Sequence, residues 1–176
     1  MPDVIKTTKS MLPMKDGVSE MHRKAVIECL HQELADHYVL VTKTRFYHWN
    51  VKGPEFHDLH TILDEQYQTI AEQIDQIAEQ ALQLGGQAPG TLAWFLSRAR
   101  LKEDPEETIP DTRRMIQNLL DDHEAIMTFL QGEITTIEEE HGDKMTSGFL
   151  QGISAQHHKI AWMLRMILQP SSLEGK

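Results

Sequence analysis

From Glu55 to Leu84 the chain runs for 30 residues without a proline or a glycine. Leu59, Ile62, Leu63, Ile70, Ile74, Ile77 and Leu82 recur along it at helical intervals, so the stretch predicts one long amphipathic helix, closed by Gly85-Gly86. A helix of that length must bury its apolar face against other long helices. The rest of the chain supplies them. Val18 to His48 carries Leu30, Leu34 and Val41 with Ser19 as N-cap. Pro110 to Glu140 repeats Ile116, Leu119, Ile126, Leu130, Ile134 and Ile137, with Gly142 just past its end. Asp143 to Leu168 carries Phe149, Leu150, Ile153, Ile160, Met163, Leu164 and Ile167, and stops before Pro170. Four long helices give an all-α four-helix bundle. In the long connection from Gly85 to Pro110, Thr91 to Arg100 holds Leu92, Trp94, Phe95 and Leu96 and reads as a short extra helix.

Chemistry concentrates on the second helix and the end of the first. His60 and Asp64 are four residues apart, as are Asp75 and Glu79, so each pair projects together from its helix. The 11 residues from Asp64 to Asp75 make roughly 16 Å of rise and about three turns, which keeps both pairs on nearly one face but too far apart for one metal cluster. A second copy running antiparallel across a two-fold axis near Thr69 and Ile70 brings the first pair of one chain to the second pair of the other. His48, 12 residues before His60 and just ahead of the break Asn50-Val51-Lys52-Gly53-Pro54, folds back beside it. The result is a site of two histidines and three carboxylates from two subunits. That donor set favours Fe(II), with Zn(II) as a competitor incapable of redox work. Acidic helices also carry such pairs merely as solvated surface, and spacing alone does not separate the two readings.

The motifs narrow the choice. His48-Trp49-Asn50-Val51-Lys52-Gly53, followed by Phe56, His60, Leu63-Asp64, Asp75-Gln76-Ile77-Ala78-Glu79 and Leu84-Gly85-Gly86, closely resembles the Dps family, the mini-ferritins. More loosely, the likeness extends upstream to about Ser19 and downstream through Lys159 to Leu164. The resemblance implies a ferritin-like bundle assembling as a hollow dodecamer. It implies a ferroxidase that oxidises Fe(II), preferentially with hydrogen peroxide, and stores ferric mineral in the cavity. By position His48, His60 and Asp64 match the ligands of one subunit, Asp75 and Glu79 those of its two-fold partner, and Trp49 the aromatic residue beside that site. Asp143 stands where the family places acidic pore residues, although Lys144 and Met145 follow it. His57, three residues before His60, is able to reach the approach to the site.

The expected organisation is a flexible N-terminal tail over 1–18, one domain over 19–168 and a short C-terminal tail over 169–176. Cys29 is the only cysteine, so no intramolecular disulfide forms, and it reads as a small core residue. The first 18 residues hold no continuous apolar stretch and no run is long enough for a membrane span, so a soluble, cytoplasmic protein is expected. Glu28-His31 and Glu138-His141 each complete an E-x-x-H string of the kind larger di-iron bundles use, but neither finds matching glutamates on other helices. His123 lies on an apolar face and reads as a hydrogen-bonded core residue, while His37, His157 and His158 read as structural or surface residues.

Net charge bears on partners. At -10 per chain, twelve copies carry about -120, a field that draws Fe(II) in and repels a nucleic-acid backbone. The N-terminal Lys6, Lys9 and Lys15 are offset by Asp3 and Asp16. Two other classes of function stay in view: a DNA-compacting nucleoid protein with little iron turnover, and a helical assembly that holds Zn(II) structurally.

Overall fold

The computed structural model describes residues 17–105 and 108–169. Most of the expected N-terminal tail, and the C-terminal tail from residue 170, lie outside the described residues. Five helices follow in order: α1 Glu20–Asn50, α2 Phe56–Gln83, α3 Leu92–Arg98, α4 Thr112–Glu139 and α5 Lys144–Leu168. Among the described residues there is no strand. α1 packs on α2 and α4 on α5. α4 also lies against α1, α2 touches α5, and α3 covers α1.

Local chemistry sets the boundaries. The Ser19 side chain accepts from the His22 amide at 3.2 Å and opens α1, with Glu20 in its first turn paired to Lys24 at 2.8 Å. Asp111 caps α4 by accepting from the Arg114 amide, so Pro110 stands before the cap rather than inside the first turn. The short helix is tighter than the expected Thr91 to Arg100: Thr91 is its N-cap and it ends at Arg98. At the end of α2 the Gly85 and Gly86 amides donate back to Leu82 and Ala81 carbonyls, both at 2.9 Å. Gly85 takes φ +82°, and a Cβ on Gly86 would stand 2.9 Å from the Ala81 carbonyl oxygen and 3.0 Å from Ile27, so both glycines are required.

α2 buries Leu59, Leu63, Gln66, Ile70, Gln73, Ile77 and Ala81, a seam stepping by threes and fours. Ile70 is fully buried within its own bundle, whereas Gln68 and Ala71 on the same stretch of α2 are exposed.

α1 buries polar groups as well as apolar ones, and several are answered from elsewhere in the fold. Asp36 accepts from the Arg100 amide at 2.6 Å and from Arg100 Nε at 2.7 Å, and Glu33 accepts from Arg100 Nη2 at 2.8 Å. Burial still raises the Glu33 carboxyl to about 8, outweighing the attraction of Arg100. Lys43 donates to Asp122 at 2.6 Å, and Tyr47 bonds Asp104 and Asn118.

Candidate metal centre

The loop 51–55 turns the chain back so that the start of α2 lies beside the end of α1. There His48 and His60 stack with ring centroids 3.8 Å apart. Each ring anchors to the backbone of the other: His48 Nδ1–H donates to the His60 carbonyl and His60 Nδ1–H to the His48 carbonyl, both at 2.9 Å. A carbonyl can only accept, so both rings carry the proton on Nδ1 and present an Nε2 lone pair in the neutral form. Phe56 stacks on the outer side of His60 at 5.1 Å.

Asp64 completes this half. Its Oδ1 lies 3.9 Å from His48 Nε2. Two metal–ligand bonds of about 2.1 Å span up to about 4.2 Å, so a first-row ion fits between these atoms. The same Oδ1 accepts from the Tyr67 hydroxyl at 2.6 Å, and Oδ2 accepts from Gln68 Nε2 at 2.7 Å. The bond to Asp64 raises the Tyr67 phenol above its ordinary value and keeps it a neutral donor.

Asp75 and Glu79 stand further along α2, both exposed, and among the described residues neither makes a hydrogen bond or ion pair. Within one chain they do not join the histidines, and no three His, Cys, Asp or Glu side chains among the described residues are grouped to hold a metal. The chain thus carries two separate half-sets of donors, one where the end of α1 meets the start of α2 and the other further along α2.

The outlying residues are placed as follows. Trp49 is 68% exposed, pointing away from the core. His57 is nearly fully exposed and pairs with Asp58 at 3.5 Å, turned away from His60. Asp143 is buried, and its carboxylate caps α5 by accepting from the Thr146 amide at 2.9 Å and the Thr146 hydroxyl at 2.6 Å. It borders a surface cavity with Gln80, Met145 and Thr146. The E-x-x-H strings hold no site: Glu28 pairs with Arg98, His31 bonds the Gln87 carbonyl, and Glu138 accepts from Ser147.

One arrangement is absent from any sequence motif. His37, His157 and His123 form a buried chain across α1, α5 and α4, with His157 Nε2 to His37 Nε2 at 3.1 Å and His157 Nδ1 to His123 Nδ1 at 2.7 Å. His37 Nδ1–H donates to the Glu33 carbonyl at 2.7 Å, which orders the chain: His123 donates to His157, and His157 to His37. Burial pushes all three down, His37 to about 4, His123 to about 3 and His157 well below its usual range, so they are neutral. The expectation of a hydrogen-bonded core residue holds for His123. His37 and His157 are fully buried structural residues, while His158 lies at the surface. One histidine taken from each of three helices leaves no spacing to read.

The comparisons with known proteins agree with this fold. Residues 27–172 match the family model described as a ferritin-like domain. An uncharacterised low temperature-induced protein of Nostoc sp. is 39% identical over 158 residues, covering 90% of this chain and 88% of the relative. DNA protection during starvation protein 2 of Bacillus anthracis is 37% identical over 145 residues, 82% of this chain and 97% of that protein. The crystal structure of a Dps protein from Vibrio cholerae, described as belonging to a broad superfamily of ferritin-like diiron-carboxylate proteins, superposes with a TM-score of 0.83 at 27% identity, covering 92% of this chain and all of that one. No helix among the described residues is long and apolar enough to cross a membrane. The chain belongs to the Dps family, within the ferritin-like superfamily.

Proposed function

We propose that this protein is a ferroxidase that oxidises Fe(II) at sites shared between two-fold-related subunits, with hydrogen peroxide as the preferred oxidant, and stores the ferric product inside a dodecameric shell. Family membership supports iron sequestration and protection in general. The observation that carries the finer reading is the incompleteness of each half-set: His48, His60 and Asp64 converge, and Asp75 and Glu79 lie exposed on the same helix without partners. An antiparallel copy of α2 supplies each half with the other. Fe(II) enters as substrate. Two Fe(II) give two electrons to one peroxide, which takes up two protons and leaves as two waters, so no hydroxyl radical is released. His48 and His60 offer neutral nitrogens of intermediate softness, and the three carboxylates neutralise the charge that rises as Fe(III) forms.

Zn(II) suits the same donors and acts as a competitive inhibitor. The acidic net charge opposes DNA compaction, and a cytoplasmic location, with tails at 1–18 and 169–176 outside the bundle, completes the reading. The test is anaerobic Fe(II) oxidation on adding peroxide, with intact protein against an Asp75→Ala, Glu79→Ala double variant of the same assembly size. Fast oxidation in the first and loss of at least about a hundredfold in the second is expected. Equal slow rates in both overturn the shared site.

A further inference from the structure

Asp64 is gripped from two sides by residues to which nothing above gives a function. Tyr67 bonds the oxygen that faces His48, and Gln68 bonds the other. Tyr67 is itself fixed. Its ring meets His48 in a T-shaped contact with centroids 5.3 Å apart, and the Arg45 guanidinium lies over it at 4.8 Å. An aspartate on an exposed helix face otherwise rotates about two bonds, and losing that freedom on metal binding costs affinity. Here the freedom is already gone: the hydroxyl and the amide hold the carboxylate plane, and each oxygen keeps a lone pair for an ion.

We propose that Tyr67, assisted by Gln68, is a positioning residue of the metal centre, whose hydroxyl pins Asp64 Oδ1 toward His48 Nε2 so that the histidine half-site is preformed before iron arrives. This rests on the shared-site reading above. The phenol does not touch the metal; it acts through Asp64. Tyr67→Phe isolates that action, since the ring stays packed against His48 and under Arg45 while the hydroxyl is lost. Partners of ligating carboxylates typically contribute ten- to a hundredfold in metal affinity.

The experiment is a titration with Co(II) alone, without oxidant, followed by its visible absorption bands, on intact protein, Tyr67→Phe and Gln68→Ala, each checked for unchanged assembly size. In Tyr67→Phe the expected result is about a tenfold weaker apparent Kd with shifted Co(II) bands. In peroxide-driven turnover the half-saturating Fe(II) rises by a similar factor while the limiting rate stays within about twofold. Gln68→Ala moves in the same direction by less. Unchanged affinity and unshifted bands in both variants overturn the positioning role and leave the shared site standing. If Tyr67→Phe fails to assemble, Gln68→Ala decides alone, and intact affinity there overturns the proposal. Failure of the intact protein to take up Co(II), or uptake indifferent to His48→Ala, overturns the shared-site reading and this inference with it.

Discussion

The two donor sets are built in opposite ways. Around His48, His60 and Asp64 the inward nitrogens are tied to backbone carbonyls, the rings are stacked and both carboxylate oxygens are held. Around Asp75 and Glu79 no hydrogen bond or ion pair from the described residues reaches the carboxylates. His60 and Asp64 stand on the same helix as Asp75 and Glu79, so helix propensity does not explain the contrast. Position does: His60 sits where α2 leaves the turn beside α1, whereas Asp75 and Glu79 lie on the exposed side of mid-helix. On the shared-site reading proposed above, the rigid half would be a template that fixes where an ion binds, and the loose pair of carboxylates lent by a partner would adapt to it.

The largest effect that could break this comparison is complementation. A His48→Ala, His60→Ala chain and an Asp75→Ala, Glu79→Ala chain should each lose oxidation by at least about a hundredfold when assembled alone. When the two are dissociated, mixed in equal amounts and reassembled, half of the dimers are mixed, and in each of these one of the two isologous sites inherits all five donors. Recovery of about a quarter of the intact rate is expected from that arithmetic, measured by stopped-flow Fe(II) oxidation. Zero recovery in correctly assembled mixtures breaks the division of labour between the halves.

A second contrast sets the site histidines against those of the core. His48 and His60 keep Nε2 available, while His37 and His157 spend both nitrogens on neighbours, and His123 keeps an unpartnered Nε2 sealed inside the bundle. Glu33, Asp36 and Arg100 face His37, and His158 adds its field to His157. Folded, the three take no proton near neutrality; unfolded, each does so below about 6.5. Unfolded chains therefore bind more protons once the pH drops below that value. Stability falls from there down toward about 4, where His37 titrates in the fold, and further toward about 3 for His123. The slope is about 1.4 kcal/mol per pH unit for each histidine. A glutamine at 157 can accept from His123 and donate to His37 without titrating. Urea denaturation between pH 7 and 5 should show His157→Gln losing about one proton's worth of that slope, and an unchanged slope would count against the neutral chain.

The bundle was legible because its signals are local. A 30-residue run without breakers, a glycine pair and a cap such as Ser19 act within a few residues of themselves, and every helix falls within two residues of its expected ends. The pairing of His48 with His60 was also legible, since a short break between two helices forces their ends together. What stayed hidden depends on helices distant in sequence. Nothing in the spacing of His37, His123 and His157 announces a hydrogen-bonded chain. The inward face of Ile70 depended on which side of α2 met α1 and α5. Asp143 looked like a pore carboxylate because its role as a cap shows only when Thr146 is seen to donate twice to it. His57 looked close to the site on a helical wheel, yet its side chain turns outward to Asp58.

Stability should separate the two halves in the opposite sense to activity. His48 is buried, stacked on His60 and anchored to a carbonyl, so His48→Ala leaves a gap and an unsatisfied acceptor and should cost about 2 kcal/mol. Asp75→Ala and Glu79→Ala remove exposed, unpaired charges from an acidic chain and should stay within about 0.5 kcal/mol of the intact protein, or rise slightly. Urea midpoints measured on dissociated subunits check this, because on the shared-site reading assembly would give the carboxylates neighbours. Comparable losses at His48 and Glu79 would mean that the second half is held within the chain after all.

The smallest expected effect is at His57, and it tests where the template ends. His57 lies one turn before His60, but its ring is exposed and its neighbour is Asp58, itself exposed. An imidazole directed at solvent and not held in a fixed geometry binds a divalent ion weakly and gains nothing from the locked pair beside it. His57→Ala should therefore leave Co(II) affinity and the peroxide-driven rate within about twofold of the intact protein, while His60→Ala abolishes both. A larger loss at His57 would place a third imidazole at the site and show that the preformed half extends a turn further toward the start of α2 than the stacked rings indicate.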